Sequence, residues 1–381
     1  MSKPASERLV SLDALRGFDM FWIMSGEHII HALAKATGWQ IFIWMSEQLH
    51  HTVWNGITFY DMIFPLFLFI SGISMPYSVQ KRMQLAGVTA AFELPRKEKN
   101  RLYLSMLRRT LILLVLGMIV NGLLAFKGYH NTRFASVLGR IGLAWFFAGM
   151  IYLNNDVRKQ ILWLLLLLFG YWAMMIFIPV PGYGAGVLTM DGSLESYIDR
   201  LLLPGKLHDG IHDPEGILST IPAIGTALMG MLTGTFLRWD GFSMSKKAVS
   251  LFVAGIILIA LGLIWDHFFL FPINKRLWSS SFVVYVGGWS LLLLSFFYWI
   301  IDVAGFRRWA FPFVIIGTNS ILIYMCAEGL VNFGYTADYI FGGMIRQVAL
   351  VWQPVLIAVS VTSVQLIFLY LLYRNKLFLK I

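Results

Sequence analysis

The chain has 381 residues, of which 58% are hydrophobic and only 13% are charged, whereas about a quarter of a typical soluble domain is charged. Apolar runs such as 161–180 approach the roughly 20 residues that a helix needs to cross about 30 Å of hydrocarbon. Because these runs lack the alternation of membrane strands, they predict helices. The composition therefore excludes an ordinary soluble domain.

We predict an all-α polytopic membrane protein in which residues 1–381 form a single transmembrane domain with about ten helices. The predicted spans are 11–33, 56–78, 107–125, 134–153, 160–180, 216–238, 249–271, 281–301, 310–330 and 353–373. Ten spans place both termini on one side, and most of the 30 Lys and Arg residues fall on that side, which predicts that it is cytoplasmic. The long connections are then a basic cytoplasmic loop, 79–106, and an extracytoplasmic loop, 181–215.

The net charge of +10 does not predict nucleic-acid binding, because the positive charges flank hydrophobic spans. We expect membrane lipid as the partner of these charges instead. The single cysteine, Cys326, excludes a disulfide framework and a cysteine-built metal site. No metal-ligand spacing or phosphate-binding loop stands out, so no metal is predicted.

The first span is unusually polar for a membrane helix. Asp13, Arg16 and Asp19 follow one another at intervals of three residues, so we expect them to pair along one helical face. Glu27 lies about 16 Å further along the helix axis than Arg16, in the outer half of the membrane. Ionisable groups in a span are costly, so each requires a structural or functional reason.

The second span follows a pair of histidines and contains a carboxylate. If its helix began at His51 and stayed regular, about 15 Å would separate His51 from Asp61. This spacing therefore does not imply a direct hydrogen bond between them. The two residues are expected to line one cavity, with His51 at its mouth and Asp61 deeper. Pro65 would kink the span and help to open that cavity.

Two further spans contain polar side chains that need partners. Arg140 requires an acidic or phosphate partner, so it is either a structural ion-pair member or a ligand of substrate or cofactor. Asn319 in the ninth span faces the same interior. From the residues alone, two classes remain open: a transporter that uses these charges for binding, or an enzyme that uses histidine and carboxylates for proton transfer.

Seven segments, in order along the chain, resemble motifs of the transmembrane acyltransferases related to heparan-α-glucosaminide N-acetyltransferase. These segments are 8–17, 51–65, 137–142, 197–203, 213–218, 272–279 and 317–324. The segments also resemble those of bacterial members of the NagX type, and this resemblance implies the bacterial cytoplasmic (inner) membrane. Glu27 stands where the animal enzyme has a functional asparagine, and an acid there would attract a cationic amine.

The resemblance implies transfer of an acetyl group from cytoplasmic acetyl-CoA to an amino sugar or glycan on the far side of the membrane. It implies His51 as the general base, or as the site of an acetyl-histidine intermediate, since its pKa suits deprotonation of an amine. Asp61 or Glu27 would orient His51 or hold the sugar ammonium. Asn55, in the same stretch, is assigned to substrate binding.

The remaining site predictions carry alternatives. Basic residues of the cytoplasmic loop either hold the phosphates of CoA or serve only membrane topology: Arg82, Arg101, Arg108 and Arg109. Four residues of the outer motifs either contact sugar hydroxyls or fold the loop by ion pairing: Asp199, Arg200, Asp213 and Glu215. The rival function is an inner-membrane transporter of N-acetylglucosamine or a related sugar. The resemblance also implies a homodimer.

Overall fold

The computed structural model describes residues 9–126 and 128–379. Arg8, with which the first motif begins, lies outside these ranges. The helices of the described residues are α1 (Val10–Phe21), α2 (Glu27–Thr37), α3 (Gln40–Gln48), α4 (Phe59–Ala86), α5 (Arg96–Val120), α6 (Val137–Asn154), α7 (Val157–Phe177), α8 (Leu194–Leu202), α9 (Thr220–Arg238), α10 (Met244–Phe268), α11 (Ser280–Tyr298), α12 (Phe311–Thr318), α13 (Ser320–Met325), α14 (Phe333–Ile345) and α15 (Gln353–Arg374).

The helices confirm a polytopic membrane protein. Within the described ranges, eight helices are long and apolar enough to cross a membrane, or nine if the pair Arg308–Thr318 and Ser320–Leu330, bent by 69°, forms one span. These correspond in order to the predicted spans from 56–78 onward. The first predicted span, 11–33, is a continuous helical run with a π-helical turn at Trp22–Gly26. Outside residues 1–8, 127 and 380–381, β-structure is limited to isolated bridges.

The connections differ in detail from the predicted loops. Helices α4 and α5 extend into the segment 79–106, so that only residues 87–95 lie between them. The connection 181–215 contains the amphipathic helix α8. Helix α4 begins at Phe59, three residues later than predicted. This late beginning determines the geometry of the candidate site.

The chain divides into two compact units. Among the described residues, the first unit comprises the chain up to Thr52, Thr58–Ile63, and the chain from Leu293 onward. The second unit comprises Val53–Ile57 and Phe64–Leu292. The predicted single transmembrane domain stays a prediction.

The first unit contains a close helix crossing. Helix α1 packs against α12, and α15 packs against α2 and α14. At the first crossing a β-carbon on Gly17 would overlap the backbone oxygen of Phe313, and one on Gly317 would overlap that of Asp13. Small residues permit such approach of membrane helices. Two of the matched segments, 8–17 and 317–324, therefore meet for a packing reason.

The predicted pairing in the first span is only partly correct. Arg16 Nη1 lies 3.3 Å from Asp13 Oδ1. Both carboxylate oxygens of Asp19 are buried and have no hydrogen-bond partner among the described residues. Two steps of three residues place Asp13 and Asp19 about 120° apart around the helix. The Arg16 guanidinium that reaches Asp13 therefore does not reach Asp19, and the prediction that all three pair along one face is wrong.

In the second unit α5 packs on α6, while α6 and α7 pack on α9. Arg109 of α5 lies over the ring of Trp145 of α6, 4.4 Å from the ring centroid. The indole Nε1 of Trp145 donates to the backbone oxygen of Ser71 at 3.2 Å. These contacts hold the middle of α4, α5 and α6 together through polar atoms that lipid would not satisfy.

Candidate active site

His51 and Asp61 are in direct contact. The His51 Nδ1 lies 2.8 Å from Asp61 Oδ1; the imidazole is 50% exposed, whereas the carboxylate is 1% exposed. A buried carboxylate accepts the Nδ1–H, which fixes the neutral ring in the tautomer that carries its lone pair on Nε2. The pair therefore has the chemistry of an oriented general base.

The Asp61 carboxylate accepts from several further donors. The backbone N–H groups of Thr52 and Thr58 each lie 3.2 Å from Oδ2. The Thr52 hydroxyl lies 2.9 Å from Oδ2 and the Thr58 hydroxyl 3.1 Å. The single hydrogen of the Thr58 hydroxyl is shared with the His50 backbone oxygen, which lies closer to Oγ1, at 2.7 Å. Because hydrogen bonds to a carboxylate favour its charged form, these donors support an ionised Asp61 in a buried position.

The direct contact arises from the way α4 begins. Thr58 precedes the first helical residue, and Asp61, the third residue of the helix, accepts from the Thr58 N–H. This is half of a capping box, in which a side chain in the first turn satisfies a backbone donor before the helix. Residues 49–58 are therefore not helical, and the chain turns back so that His51 meets Asp61. The sequence did not imply this hydrogen bond, because the expected separation of about 15 Å assumed a regular helix from His51.

Tyr60 and Glu328 are further polar residues of the first unit, which also contains His51 and Asp61. The Tyr60 ring packs against the His51 ring with centroids 4.8 Å apart. Its hydroxyl lies beside the predicted Glu27, and Glu328 is within electrostatic range of both. The structure thus brings three predicted residues into one unit, His51, Asp61 and Glu27, and adds Tyr60, which sequence analysis missed.

Residues Val53–Ile57, between His51 and α4, belong to the second unit and make hydrogen bonds within it. Trp54 Nε1 donates to the Leu188 backbone oxygen at 2.8 Å. Asn274 Nδ2 donates to Asn55 Oδ1 at 3.1 Å. Gly56 has φ +100°, a conformation that suits glycine and strains other residues. Asn55, predicted to bind substrate, is therefore engaged in a structural hydrogen bond.

Arg133 and two carboxylates of the connection 181–215 form an ion-pair cluster. Arg133 donates to Asp213 through Nε at 2.8 Å and through Nη2 at 2.6 Å, and it also bonds to Glu215. Asp213 accepts from the backbone N–H groups of His208 and Glu215, each at 3.0 Å. These bonds hold the pKa of Asp213 below its ordinary value despite burial. Asp213 and Glu215 thus make the contacts of the loop-folding alternative.

Beside this cluster lies a second histidine–carboxylate pair. His212 Nδ1 lies 2.9 Å from Glu195 Oε2, and both side chains are 0% exposed. Burial raises the pKa of Glu195 to about 7 and lowers that of His212 to about 4. Burial, followed by the nearby Glu195, raises the pKa of Asp199 to about 9. The carboxyl groups are therefore partly or wholly protonated at neutral pH.

Arg140 lies fully buried beneath this cluster. Its Nη2 donates to the Gly216 backbone oxygen at 3.1 Å and to Ser219 Oγ at 2.5 Å. Its guanidinium carbon lies 5.1 Å from the ring centroid of Trp278. Arg140 and Glu215 are among the residues that line a cavity of about 500 Å³ with mostly apolar walls. This is where two of the predicted substrate ligands come together.

The other predicted residues make structural contacts. Arg200 donates to the backbone oxygens of Ile211 and Asp191, and Asn319 exchanges hydrogen bonds with Leu377 and Leu379 in the C-terminal segment. In the basic loop, Glu98 pairs with Arg82 at 3.2 Å and with Arg101 at 2.6 Å. Arg108 is exposed. None of these contacts tests the predicted binding roles.

Sequence analysis missed Glu195 and His212. Glu195 could have been recognised from its position, because it follows the helix N-cap Ser193 and precedes Asp199 by four residues. This spacing puts both carboxyl groups on one face of α8. His212 carried no such signal, because its contact joins separate segments. Among the described residues, no group of three or more His, Cys, Asp or Glu is arranged to hold a metal ion.

Fold and site together define a polytopic helical membrane protein with a histidine–aspartate pair where one apolar helix begins. No family model matches the chain. It is similar to heparan-alpha-glucosaminide N-acetyltransferase from Homo sapiens, with 28% identity over 385 aligned positions, which cover 87% of this chain and 55% of that protein. The Mus musculus protein of the same name gives 28% identity, with 87% and 56% covered.

The chain thus spans about half the length of the curated relatives it matches. The similarity nevertheless extends over most of this chain, and it supports a relationship to the transmembrane acyltransferase family that the seven segments resemble.

Proposed function

We propose that this chain is a transmembrane N-acetyltransferase that moves an acetyl group from acetyl-CoA to the amino group of a glucosamine-like sugar. The observation that carries the proposal is the 2.8 Å contact between His51 Nδ1 and the buried Asp61 carboxylate. The similarity to two N-acetyltransferases of amino sugars supports the class of reaction.

In this mechanism His51 Nε2 takes a proton from the sugar ammonium or from the attacking amine. The amine nitrogen bonds to the thioester carbonyl carbon, the carbon–sulfur bond breaks, and the CoA thiolate takes up a proton. Asp61 stabilises the imidazolium that forms and keeps the ring oriented. Transfer through an acetyl group on His51 is the alternative route within the same site.

Glu27 and Tyr60 are proposed to bind the acceptor amine. Glu27 lies beside Tyr60, whose ring packs against His51. A carboxylate there attracts the ammonium form of an amino sugar before its deprotonation, which raises the local concentration of the nucleophile. The exposed half of the His51 ring leaves the acceptor a route of approach.

For the donor, we propose that exposed arginines of the basic loop hold the CoA phosphates. Arg101 is 59% exposed and Arg108 is exposed, which leaves both accessible. Arg82 and Arg101 share Glu98, so phosphate binding there competes with an existing ion pair. Arg109 lies over Trp145 and is the least available of the four.

Further parts of the prediction remain proposals. We keep a substrate-binding role for residues whose observed contacts are structural: Asn55, Arg140, Asp199, Arg200, Asp213, Glu215 and Asn319. We also propose a bacterial inner-membrane location with both termini cytoplasmic, a NagX-type protein, and a homodimer.

The test is CoA release by the purified protein with acetyl-CoA and glucosamine, for wild type and His51→Ala. Loss of a positioned general base lowers turnover by about 10²- to 10⁴-fold. His130→Ala, at an exposed histidine between α5 and α6, is the matched control and is expected to retain wild-type turnover. Wild type that neither binds acetyl-CoA nor releases CoA would refute the proposal and favour the sugar transporter.

A further inference from the structure

The first unit contains a large open cavity beside the proposed catalytic residues. Its volume is about 820 Å³, within the range of small-molecule sites, which is about 300–1,000 Å³. It lies among α2, α3 and the first two turns of α15. Its polar wall is formed by Ser25, His28, His31, Lys35, Ser46, Glu47 and His50. The mechanism above uses none of these residues.

The cavity adjoins the proposed site through two neighbouring pairs of residues. His50 in its wall precedes His51, and His28 in its wall follows Glu27. Within the wall the His50 ring stacks on the His31 ring, with centroids 4.5 Å apart and planes 19° apart. His31 Nδ1 lies 2.6 Å from Ser46 Oγ. The stack is thus a fixed planar surface, held at its other edge by a hydrogen bond.

The lining suits a sugar ring. Flat ring surfaces and apolar side chains such as Ile43 and Ile357 can cover the C–H face of a sugar, while hydroxyl and imidazole groups bond to its edge. Exposed His28, Glu47 and His50 leave the cavity accessible from outside. A cavity of this size leaves room beyond the one ring that reacts at His51.

The charges of the cavity select among sugars. Besides the imidazoles, its wall carries one carboxylate, Glu47, and one ammonium, Lys35, while Glu27 adds a second carboxylate at its edge. With neutral imidazoles the charges of Glu47 and Lys35 cancel, so Glu27, which lies 3.8 Å from His28 of the wall, leaves one net negative charge. This charge disfavours an anionic group by like-charge repulsion and favours a cationic one. The same charge disfavours the phosphates of CoA.

We propose that this cavity binds the second ring of an oligosaccharide acceptor, and that it accepts a neutral or cationic ring in preference to an anionic one. The inference rests on the proposed function, since it places the reacting amine of the first ring at His51. It makes a di- or oligosaccharide the acceptor, with free glucosamine a truncated substrate that lacks this part of the binding energy.

The first experiment measures equilibrium binding and needs no turnover. Calorimetry with purified protein in detergent compares glucosamine, the β-1,4-linked glucosamine disaccharide, and a glucosamine linked to a uronic acid. We expect the glucosamine disaccharide to bind about tenfold more tightly than glucosamine, and the uronic acid derivative to bind more weakly than the disaccharide. Equal affinity for all three would overturn the inference, whether or not the protein releases CoA.

Two matched variants locate that binding. Ala34 lines the cavity, whereas Ala36, two residues further along the same helix, does not. Ala34→Phe fills the cavity and is expected to remove the tenfold preference for the disaccharide, both in binding and in kcat/KM for CoA release. Ala36→Phe is expected to keep it. A preference that survives Ala34→Phe, or that both variants lose equally, would overturn the assignment of the cavity.

Glu47→Gln tests the charge selection with little change in shape. The ratio of affinities for the glucosamine disaccharide over the uronic acid derivative is expected to fall by about tenfold, since a charged partner is lost. An unchanged ratio would refute the role of Glu47. If the binding preferences hold but no acceptor yields CoA release, the cavity assignment stands and the acetyltransferase proposal fails.

Discussion

Two histidine–carboxylate pairs in this protein have nearly the same geometry and opposite surroundings. His51 Nδ1 lies 2.8 Å from Asp61, and His212 Nδ1 lies 2.9 Å from Glu195. The His51 ring is 50% exposed, and its carboxylate partner has four hydroxyl or backbone donors besides. His212 and Glu195 are both 0% exposed.

The difference shows that a short contact alone does not identify a catalytic histidine. At His51 the donors around Asp61 favour a charged carboxylate, so the ring can gain a proton and be stabilised. At His212 burial lowers the pKa of the ring to about 4 and raises that of Glu195 to about 7. The ring therefore stays neutral at neutral pH, and because both side chains are 0% exposed a substrate cannot reach them. The first pair suits catalysis, and the second suits a structural role in the connection that contains α8.

Asp61→Asn tests the first pair and has the largest expected effect. The amide introduced at this position can donate to Nδ1 of His51 and so favours the imidazole tautomer that carries its proton on Nε2. In that tautomer Nε2 cannot act as a base. We expect kcat to fall by about 10²- to 10⁴-fold, with a smaller change in KM. Steady-state CoA release measures both parameters. Asp338→Asn, at an exposed carboxylate that pairs with Arg346, is the control. A kcat within twofold of wild type would contradict the assignment of Asp61.

Arg133→Ala tests the structural role of the second region. It leaves Asp213 buried without its bidentate partner, and breaking a buried pair costs about 3–5 kcal/mol of unfolding free energy. Denaturant unfolding in detergent measures the change. Arg346→Ala breaks an exposed pair with Asp338 and is expected to cost at most about 1 kcal/mol. Equal losses for the two variants would show that the cluster does not stabilise the loop.

The same region predicts a dependence of stability on pH. The pKa of Asp199 rises from its ordinary 3.8 to about 9, so folding favours the protonated form. This stabilisation is complete below pH 3.8 and is lost as pH rises toward 9. His212 opposes it only below its ordinary pKa of 6.5. The unfolding free energy of wild type should therefore fall between pH 6.5 and 9.

Asp199→Asn should flatten this dependence, because the amide does not titrate. Thermal unfolding of wild type and variant at several pH values between 6.5 and 9 measures it, with Asp338→Asn as the control that keeps the wild-type slope. Parallel curves for wild type and Asp199→Asn would exclude Asp199 as the titrating group.

Gly56→Ala has the smallest expected effect and probes the segment beside His51. Gly56 has φ +100°, where a β-carbon is strained, and such strain costs about 1–3 kcal/mol. We expect a loss of stability of this size and a several-fold lower kcat. Gly170 lies in α7, and apart from the adjacent residues and the helix backbone no atom lies within 4 Å of the position that a Cβ would take there. Gly170→Ala should therefore leave the unfolding free energy unchanged or raise it. A Gly56→Ala variant as stable and active as wild type would show that the segment tolerates another conformation.

The helices were predictable because hydrocarbon imposes one rule on every span, and that rule is local in sequence. The beginning of α4 was predictable in principle from the sequence Thr58-Phe-Tyr-Asp61, which reads as a capping box. The predicted span followed the length of the apolar run instead of this capping box, and the helix was assumed to be regular from His51. His51 and Asp61 were therefore placed too far apart. The contacts of Arg133 with Asp213, and of His212 with Glu195, join segments far apart in sequence. A pattern of neighbouring residues in the sequence cannot predict such long-range contacts.

Asp61 begins helix α4 and also orients the His51 ring. The first turn of a helix is the part that opens most easily in local fluctuations. Each opening of that turn releases the carboxylate from the imidazole, while the rest of the membrane helices stay folded. Heating should therefore inactivate the protein reversibly at temperatures below its global unfolding transition, and activity would report on one helical turn.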